Sequence, residues 1–155
     1  MTLVEPLSAP LELSFDYTRS LGPVLGRFMS ALAVRQIVGV RGSDGRVHVP
    51  PVEYDPVTAA PLAEFVDVSD EGDVLSWTWS PRPLEGQPID RPFAWALIRL
   101  DGADIAFLHI VLGCAADEVR MGMRIEAVWR PRDEWGPTLQ NIDHFRPTDE
   151  PDAPY

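Results

Sequence analysis

The chain has 155 residues, of which 24 are acidic and 13 basic, giving a formal net charge of −11. Every basic residue is an arginine, and the absence of lysine excludes a Schiff-base enzyme, a phosphate-binding P-loop and a lysine general base. The acidic balance argues against a nucleic-acid-binding protein, because phosphate contacts need a clustered positive surface. The single cysteine, Cys114, excludes an internal disulfide and a cysteine-built metal site.

The N-terminal region is predicted to contain a loose lead-in and then a helix. No apolar run approaches the roughly 20 residues that span a bilayer, and Met1–Pro10 lacks the basic and apolar segments of a secretion signal, so we expect a soluble, cytoplasmic protein. After Gly22, apolar residues recur at helical spacing and predict a helix over Pro23–Val34, with proline tolerated at its start. Its apolar stripe, which includes Phe28 and Met29, must pack on the body of this chain or on another subunit.

The next segment predicts a small hairpin unit. Two short strands, Gln36–Arg41 and Arg46–Val49, flank the turn sequence Gly42–Gly45, and Asp55-Pro56 starts a second turn. A unit of about 25 residues with so few apolar side chains normally needs a metal or a disulfide to hold it together. This sequence offers neither.

From Phe65 onward the sequence predicts an all-β domain. Alternating and β-branched runs are joined by hairpin signals such as Asp101-Gly102. Five short strands without intervening helices suit a small closed or partly open barrel of the OB type. The acidic, proline-rich residues 148–155 are expected to form a solvated, disordered tail. The predicted strands are Val74–Ser80, Phe93–Leu100, Ile105–Leu112, Met121–Arg130 and Leu139–Phe145.

No motif in the sequence identifies a catalytic residue, a metal site or a cofactor. The three histidines are far apart, and none has metal-ligand spacing. We expect His48 to be a solvated hairpin position and Cys114 an ordinary thiol, because no helix N-terminus follows to activate it. The dense acidic stretch from Asp67 to Asp73 is expected to form a solvated turn.

Tryptophans and arginines supply the candidate contacts. Alternation over Val74–Ser80 predicts that Leu75, Trp77 and Trp79 share one face. Base stacking on these tryptophans would need a positive groove, so core filling or subunit contact is the preferred interpretation. We therefore predict a partner interface formed by Phe28, Met29, Trp77 and Trp79.

A loop near the C-terminal end offers the best candidate for binding a ligand. Arg130 and Arg132 lie between Trp129 and Trp135 and could contact an anionic group, with His109 as a further contact. An ordinary surface loop explains the same residues equally well.

Several short motifs occur in an order that resembles one protein family. RQIVGVRGSDGRVHVPP is followed by YDPVTAAP, DEGDVLSWTW, RPFAWALIRLDG, FLHIVLG, VRMGMRIEAVW and IDHFRP. This succession resembles the zinc-ribbon and OB-fold family first catalogued as domain of unknown function 35. The resemblance implies a mainly β protein with an N-terminal helical arm (1–35), a degenerate rubredoxin-like zinc ribbon (36–64), a five-stranded OB-fold barrel (65–147) and the acidic tail (148–155).

The sequence departs from this family at the metal site. Family members usually carry two pairs of cysteines, but here Gly42–Gly45 and Asp55–Thr58 occupy the corresponding positions. Without thiolates the tetrahedral zinc site is lost. The resemblance therefore implies a metal-free remnant of the ribbon, held by packing against the barrel or a partner.

The resemblance also implies an accessory role. Proteins of this family accompany thiolase-superfamily enzymes and MaoC-type hydratases that act on acyl-CoA thioesters, and the partner supplies most of the catalytic residues. We expect a subunit without a cofactor of its own, in a complex with a thiolase-like retro-aldolase that cleaves a steroid-type side-chain CoA thioester. Alternatives are a partner of a MaoC-type enoyl-CoA hydratase, a stand-alone acyl-CoA-binding module and, from the OB fold alone, a single-stranded nucleic-acid binder.

Overall fold

The computed structural model describes residues 8–87 and 89–154, so most of the predicted lead-in Met1–Pro10 lies outside the described residues. The described elements are one α-helix, eight strands and two short 3₁₀ turns, Arg132–Glu134 and Leu139–Asn141. No helix among them is long and apolar enough to cross a membrane. The elements are α1 (Gly22–Leu32), β1 (Ile37–Arg41), β2 (Val47–His48), β3 (Phe65–Val68), β4 (Glu71–Ser80), β5 (Phe93–Leu100), β6 (Phe107–Val111), β7 (Arg124–Trp129) and β8 (Ile142–Pro147).

Helix α1 packs on the body of its own chain. Proline occupies its first turn, as predicted, and the helix ends before Arg35, whose φ of 61° is incompatible with a continuing right-handed helix. Val24, Phe28 and Leu32 are buried along one face. Phe28 is only 2% exposed and lies in the main core, so its side chain cannot contact a partner and drops out of the predicted interface.

A three-stranded antiparallel sheet follows the helix in the order β2-β1-β3. Strand β3 pairs with β1, which places Phe65–Val68 in this small sheet, while the barrel begins at Glu71. The sheet is tied to the barrel through Val47, whose N–H donates to Asp104 Oδ2 at 2.8 Å and whose carbonyl accepts from the Asp104 N–H at 2.9 Å. His48 is 8% exposed, so the prediction of a solvated hairpin position is wrong.

The remaining strands close into a five-stranded barrel in the order β4-β5-β6-β8-β7. Adjacent strands of the barrel pair antiparallel, except β6 and β8, which pair in parallel. This arrangement confirms the predicted OB-type barrel. Its interior shares one apolar core with α1 and the small sheet, so the three parts of the chain stabilise one another.

A β-bulge in β4 changes which side chains face the core. Val74 pairs with Ile98 and Ser76 with Leu97, so Leu75 is the additional residue. Beyond the bulge, Trp77 and Trp79 lie opposite the buried residues Ala96 and Ala94. The tryptophans therefore share a face with Val74 rather than with Leu75, contrary to the simple alternation predicted from the sequence.

The acidic stretch after β3 is only partly a solvated turn. Asp67 is exposed, as predicted, but Asp73 is 3% exposed and accepts hydrogen bonds from the Arg99 guanidinium at 3.2 to 3.3 Å. Asp70 accepts from Trp129 Nε1 at 2.8 Å. The prediction fails for these two carboxylates because each has a specific donor on a neighbouring strand or loop.

The acidic tail also differs from the expectation of disorder. Residues 148–154 lie against the barrel, and the Asp152 carboxylate forms a two-pronged pair with Arg120 at 2.6 and 2.7 Å. The Ala153 N–H donates to the Gly122 carbonyl at 2.8 Å. Arginines on the barrel surface thus compensate the negative charge that suggested a free tail.

Candidate functional site

A cleft opens between β6 and β8, the two adjacent barrel strands with the least pairing. Strands β6 and β8 share the single register pair Val111–Phe145, so the strands diverge before it. A cavity of about 260 Å³ lies in this opening. Its described lining consists of Ile89, Trp95, Leu108, His109, Ile110, Arg130, Gln140, Ile142 and Asp143.

One wall of the cleft is apolar and firmly packed. Trp95 stacks edge-to-face on Phe93, with ring centroids 5.3 Å apart. Both rings belong to a second, smaller core with Ile110 and Leu112, outside the barrel, and Ile89 of the β4–β5 loop packs against it. This wall can bind an apolar group because its side chains are already held by one another.

His109 supplies the main titratable group of the cleft. It lies opposite the buried Ala96 on β5, and its ring packs edge-to-face against Phe145 at 5.3 Å. Burial lowers the pKa of the imidazole below its ordinary value. Its Nδ1 atom is buried, and a hydrogen bond with the backbone of Ile110 partly opposes this lowering of the pKa.

Arg130 lines the same cleft, but its charge is shared with carboxylates. Its Nε lies 3.6 Å from Asp143 Oδ1 and its Nη1 lies 4.0 Å from Glu134 Oε2. The second oxygen of Asp143 is 2.7 Å from His144 Nδ1. An anionic ligand would therefore have to compete with Asp143 for Arg130.

The structure unites two of the three predicted ligand contacts. His109 and Arg130 line one cavity, whereas Arg132 is exposed on a 3₁₀ turn and is not among the described lining residues. Sequence reasoning missed Gln140, in the 3₁₀ turn before β8, and Asp143 in β8, because no local pattern distinguishes them from other polar residues. Only the meeting of β6 and β8 places them there.

An exposed apolar patch adjoins the cleft. Trp77 is 43%, Leu97 42% and Leu108 57% exposed, and with Trp95 they line a shallow depression of about 200 Å³. We name these residues the Trp77 patch. By register, the side chains of Leu97 and Leu108 lie on the face of the sheet opposite to that of Trp77. Trp95 and Leu108 belong to both the patch and the cleft, so the two surfaces are continuous. Of the other predicted interface residues, Met29 and Trp79 are half-buried and pack against the main core.

Asp55 joins the two turns of the predicted ribbon remnant. Its Oδ2 accepts the Ser43 N–H at 2.6 Å, and its Oδ1 accepts the N–H groups of Val57 and Thr58 at 2.7 and 2.9 Å. The bond from Ser43 and the other backbone donors hold the pKa of Asp55 well below its usual range. An Asp-Pro turn signal was visible in the sequence, but its link to the first turn was not.

These turns do not fit a zinc ion of the kind that members of the resembled family usually hold. They carry no thiolate, and three backbone N–H groups already engage the Asp55 carboxylate. Among the described residues, no group of three or more His, Cys, Asp or Glu side chains is arranged to hold a metal.

Cys114 lacks the features of an activated nucleophile. Burial and the nearby Glu118 raise the pKa of its thiol. The ordinary, protonated thiol expected from the sequence agrees with this environment.

Comparison with known families supports the architecture. Residues 65–130 match the family model of the C-terminal OB-fold domain of ChsH2. The barrel of this chain is similar to that OB-fold domain over the matched residues. The matched range includes β3 and four strands of the barrel, while β8 lies beyond it.

Two solved structures share the fold of this chain. A protein of unknown function from the DUF35 family of Sulfolobus solfataricus has a TM-score of 0.59 and 23% identity, covering 81% of this chain and 84% of its own. The Ltp2-ChsH2(DUF35) aldolase gives a TM-score of 0.60 at 19% identity, covering 84% of this chain and 98% of that one. No curated protein matches the sequence.

Proposed function

We propose that this chain is the accessory OB-fold subunit of an aldolase complex whose catalytic subunit belongs to the thiolase superfamily. The match of residues 65–130 to the ChsH2 OB-fold domain carries the proposal. The similar fold of the Ltp2-ChsH2(DUF35) aldolase supports it. We expect the complex to be cytoplasmic.

The surface of the barrel supports a docking role. The Trp77 patch combines an aromatic ring with two exposed leucines, Leu97 and Leu108, a composition typical of the buried centre of a protein interface. The patch continues into the cleft of His109 and Arg130. A partner docked on the patch would cover the cleft entrance, so these residues would line a channel between the subunits.

The proposed reaction is retro-aldol cleavage of a β-hydroxyacyl-CoA with a steroid-type side chain. The bond between the α and β carbons breaks, the β-hydroxyl loses its proton to a base, and the α carbon takes up a proton. The partner would supply these acid–base groups, as the family resemblance implies, since no acid–base or nucleophile motif occurs in this sequence and burial raises the pKa of the Cys114 thiol. The apolar wall at Trp95 suits the acyl part of such a substrate.

Purification from source cells through a C-terminal tag tests this proposal. We expect a stoichiometric thiolase-superfamily subunit and cleavage of β-hydroxyacyl-CoA by the complex. Leu108→Lys should weaken the complex, because it places a charge in the patch. Met121→Lys is the matched control, since Met121 is 59% exposed but outside the patch. If the tagged wild-type chain elutes from this purification without a partner subunit at micromolar concentration, the proposal is refuted. Recovery with a MaoC-type hydratase would favour that alternative.

A second candidate is a stand-alone acyl-CoA-binding module, favoured by the apolar wall and Arg130 within one cavity. Calorimetry of the isolated chain with acetyl-CoA or a longer acyl-CoA tests it. This function predicts saturable heat that Arg130→Ala reduces and Arg132→Ala leaves unchanged. Absence of heat at millimolar ester would exclude it.

A further inference from the structure

The segment before α1 has the pattern of a β-strand without a sheet. Leu11, Leu13, Phe15 and Tyr17 alternate with Glu12, Ser14, Asp16 and Thr18. Strict alternation over eight residues is the signature of a strand with one apolar face. Its length matches that of an ordinary strand.

In the structure this segment belongs to none of the described helices or strands. Its four apolar side chains are 77 to 82% exposed, and the rings of Phe15 and Tyr17 lie 6.0 Å apart on the same side. No backbone hydrogen bond joins residues 11–18 to another part of the described chain. Both the backbone and the apolar face are therefore available for pairing.

We infer that residues 11–17 form an intermolecular β-strand, which adds to the exposed sheet edge of a partner protein. Backbone hydrogen bonds would provide affinity, while alternate side chains would enter an apolar groove. The inference rests on the proposed function only in identifying that partner with the catalytic subunit of the aldolase complex.

The negative charge of this chain favours a different partner protein over a second copy of the chain. The polar face of the strand carries Glu12 and Asp16, and a second copy carries a net charge of −11. In that second copy, the edge strands of the small sheet, β2 and β3, contain two and four residues, and the barrel leaves unpaired only the short diverging parts of β6 and β8. A longer edge with arginine or lysine on its polar side is the complementary surface.

The body of the protein limits where this edge can lie. Phe28 and Leu32 anchor α1 in the core, and four residues separate Tyr17, the end of the proposed strand, from the start of the helix at Gly22. Four extended residues span about 13 Å. The partner's sheet edge must therefore lie beside the N-terminus of α1.

The test uses the purified complex and the double variant Leu13→Ser/Phe15→Ser. Each lost side chain should reduce affinity at least about tenfold, so we expect the Kd of the complex to rise by about 100-fold or more. The matched control, Ser14→Ala/Thr18→Ala, changes the opposite face and should alter the Kd less than about threefold. Thermal unfolding of the isolated variants should be unchanged, because the substituted side chains lie outside the core.

Hydrogen exchange provides the second measurement. Amides of residues 11–17 should exchange freely in the isolated chain and become protected in the complex. If the wild-type chain and the double variant bind the catalytic subunit equally well, the strand inference is overturned and the proposed function stays intact. A wild-type chain that binds no catalytic subunit would overturn both. Protection within a dimer of this chain alone would show that a second copy is the occupant and would also overturn the inference.

Discussion

Asn141 is predicted to fasten helix α1 to the barrel. Its side chain is 1% exposed, and its Nδ2 donates to the carbonyls of Leu32 at 2.9 Å and Gly136 at 2.6 Å. Its Oδ1 accepts the Gly136 N–H at 3.1 Å. Three neutral hydrogen bonds contribute about 1 kcal/mol each. Because the Leu32 carbonyl retains a bond from the Arg35 N–H, we expect Asn141→Ala to cost about 2–3 kcal/mol.

Equilibrium unfolding in urea, followed by tryptophan fluorescence, measures this loss. A loss of that size should lower the Tm by roughly 5–10 °C in a chain of this length. The neighbouring exposed residue offers the control, since Gln140→Ala should change stability by less than about 0.5 kcal/mol. Asn141→Asp should be destabilising at neutral pH, because a carboxylate would face two carbonyl oxygens, and less so in acid. If Asn141→Ala unfolds within about 0.5 kcal/mol of the wild type, the fastening role is refuted.

Three further predictions concern acid stability and backbone packing. The pKa of Asp55 is lowered in the folded state, so this carboxylate should stabilise the fold above the ordinary carboxyl pKa, and the stabilisation should be lost as the pH falls below it. Asp55→Asn should lower the Tm at pH 7. The variant should also show a weaker decrease of Tm with falling pH when unfolding is measured by calorimetry. Burial also lowers the pKa of His109, so unfolding should become easier below about pH 6.5 as the unfolded chain takes up the proton, and His109→Gln should remove this part of a pH–Tm profile. Gly72→Ala should destabilise the barrel, because the added Cβ would lie 2.8 Å from Leu100 Cα, while Gly26→Ala in the helix meets nothing within 4 Å and should stabilise by about 0.5–1 kcal/mol. Thermal melts of both glycine variants check this contrast, and equal effects would contradict it.

The sequence predicted the barrel well because local signals and tertiary structure agree there. Phe93–Leu100 was predicted with its observed bounds, since alternation, β-branched residues and the following Asp-Gly turn all indicate the same strand. The sequence did not predict the bulge at Leu75. A bulge depends on the register between two strands, and single-strand periodicity carries no information about that register.

The candidate site was only half predictable for a related reason. The sequence predicted Arg130 and His109 as ligand contacts from their side-chain chemistry, but their proximity depends on the gap between β6 and β8. The alternating residues Leu11–Tyr17 carried an equally clear local signal. No strand was predicted there from the sequence, and the structure leaves this pattern without a paired edge, so an unpaired alternation is itself informative about partners.

The acidic composition has a structural role that net charge alone conceals. Asp55 joins two turns through backbone N–H groups, Asp73 binds Arg99 beneath the barrel surface, and Asp104 ties the small sheet to the barrel. Each carboxylate accepts hydrogen bonds that hold separate segments together, and such bonds to a charged acceptor are stronger than neutral ones. Between the turns Gly42–Gly45 and Asp55–Thr58, the Asp55 carboxylate joins two segments that carry no cysteine. A small, weakly cored unit can therefore keep its shape through a carboxylate and still present its surface to a partner.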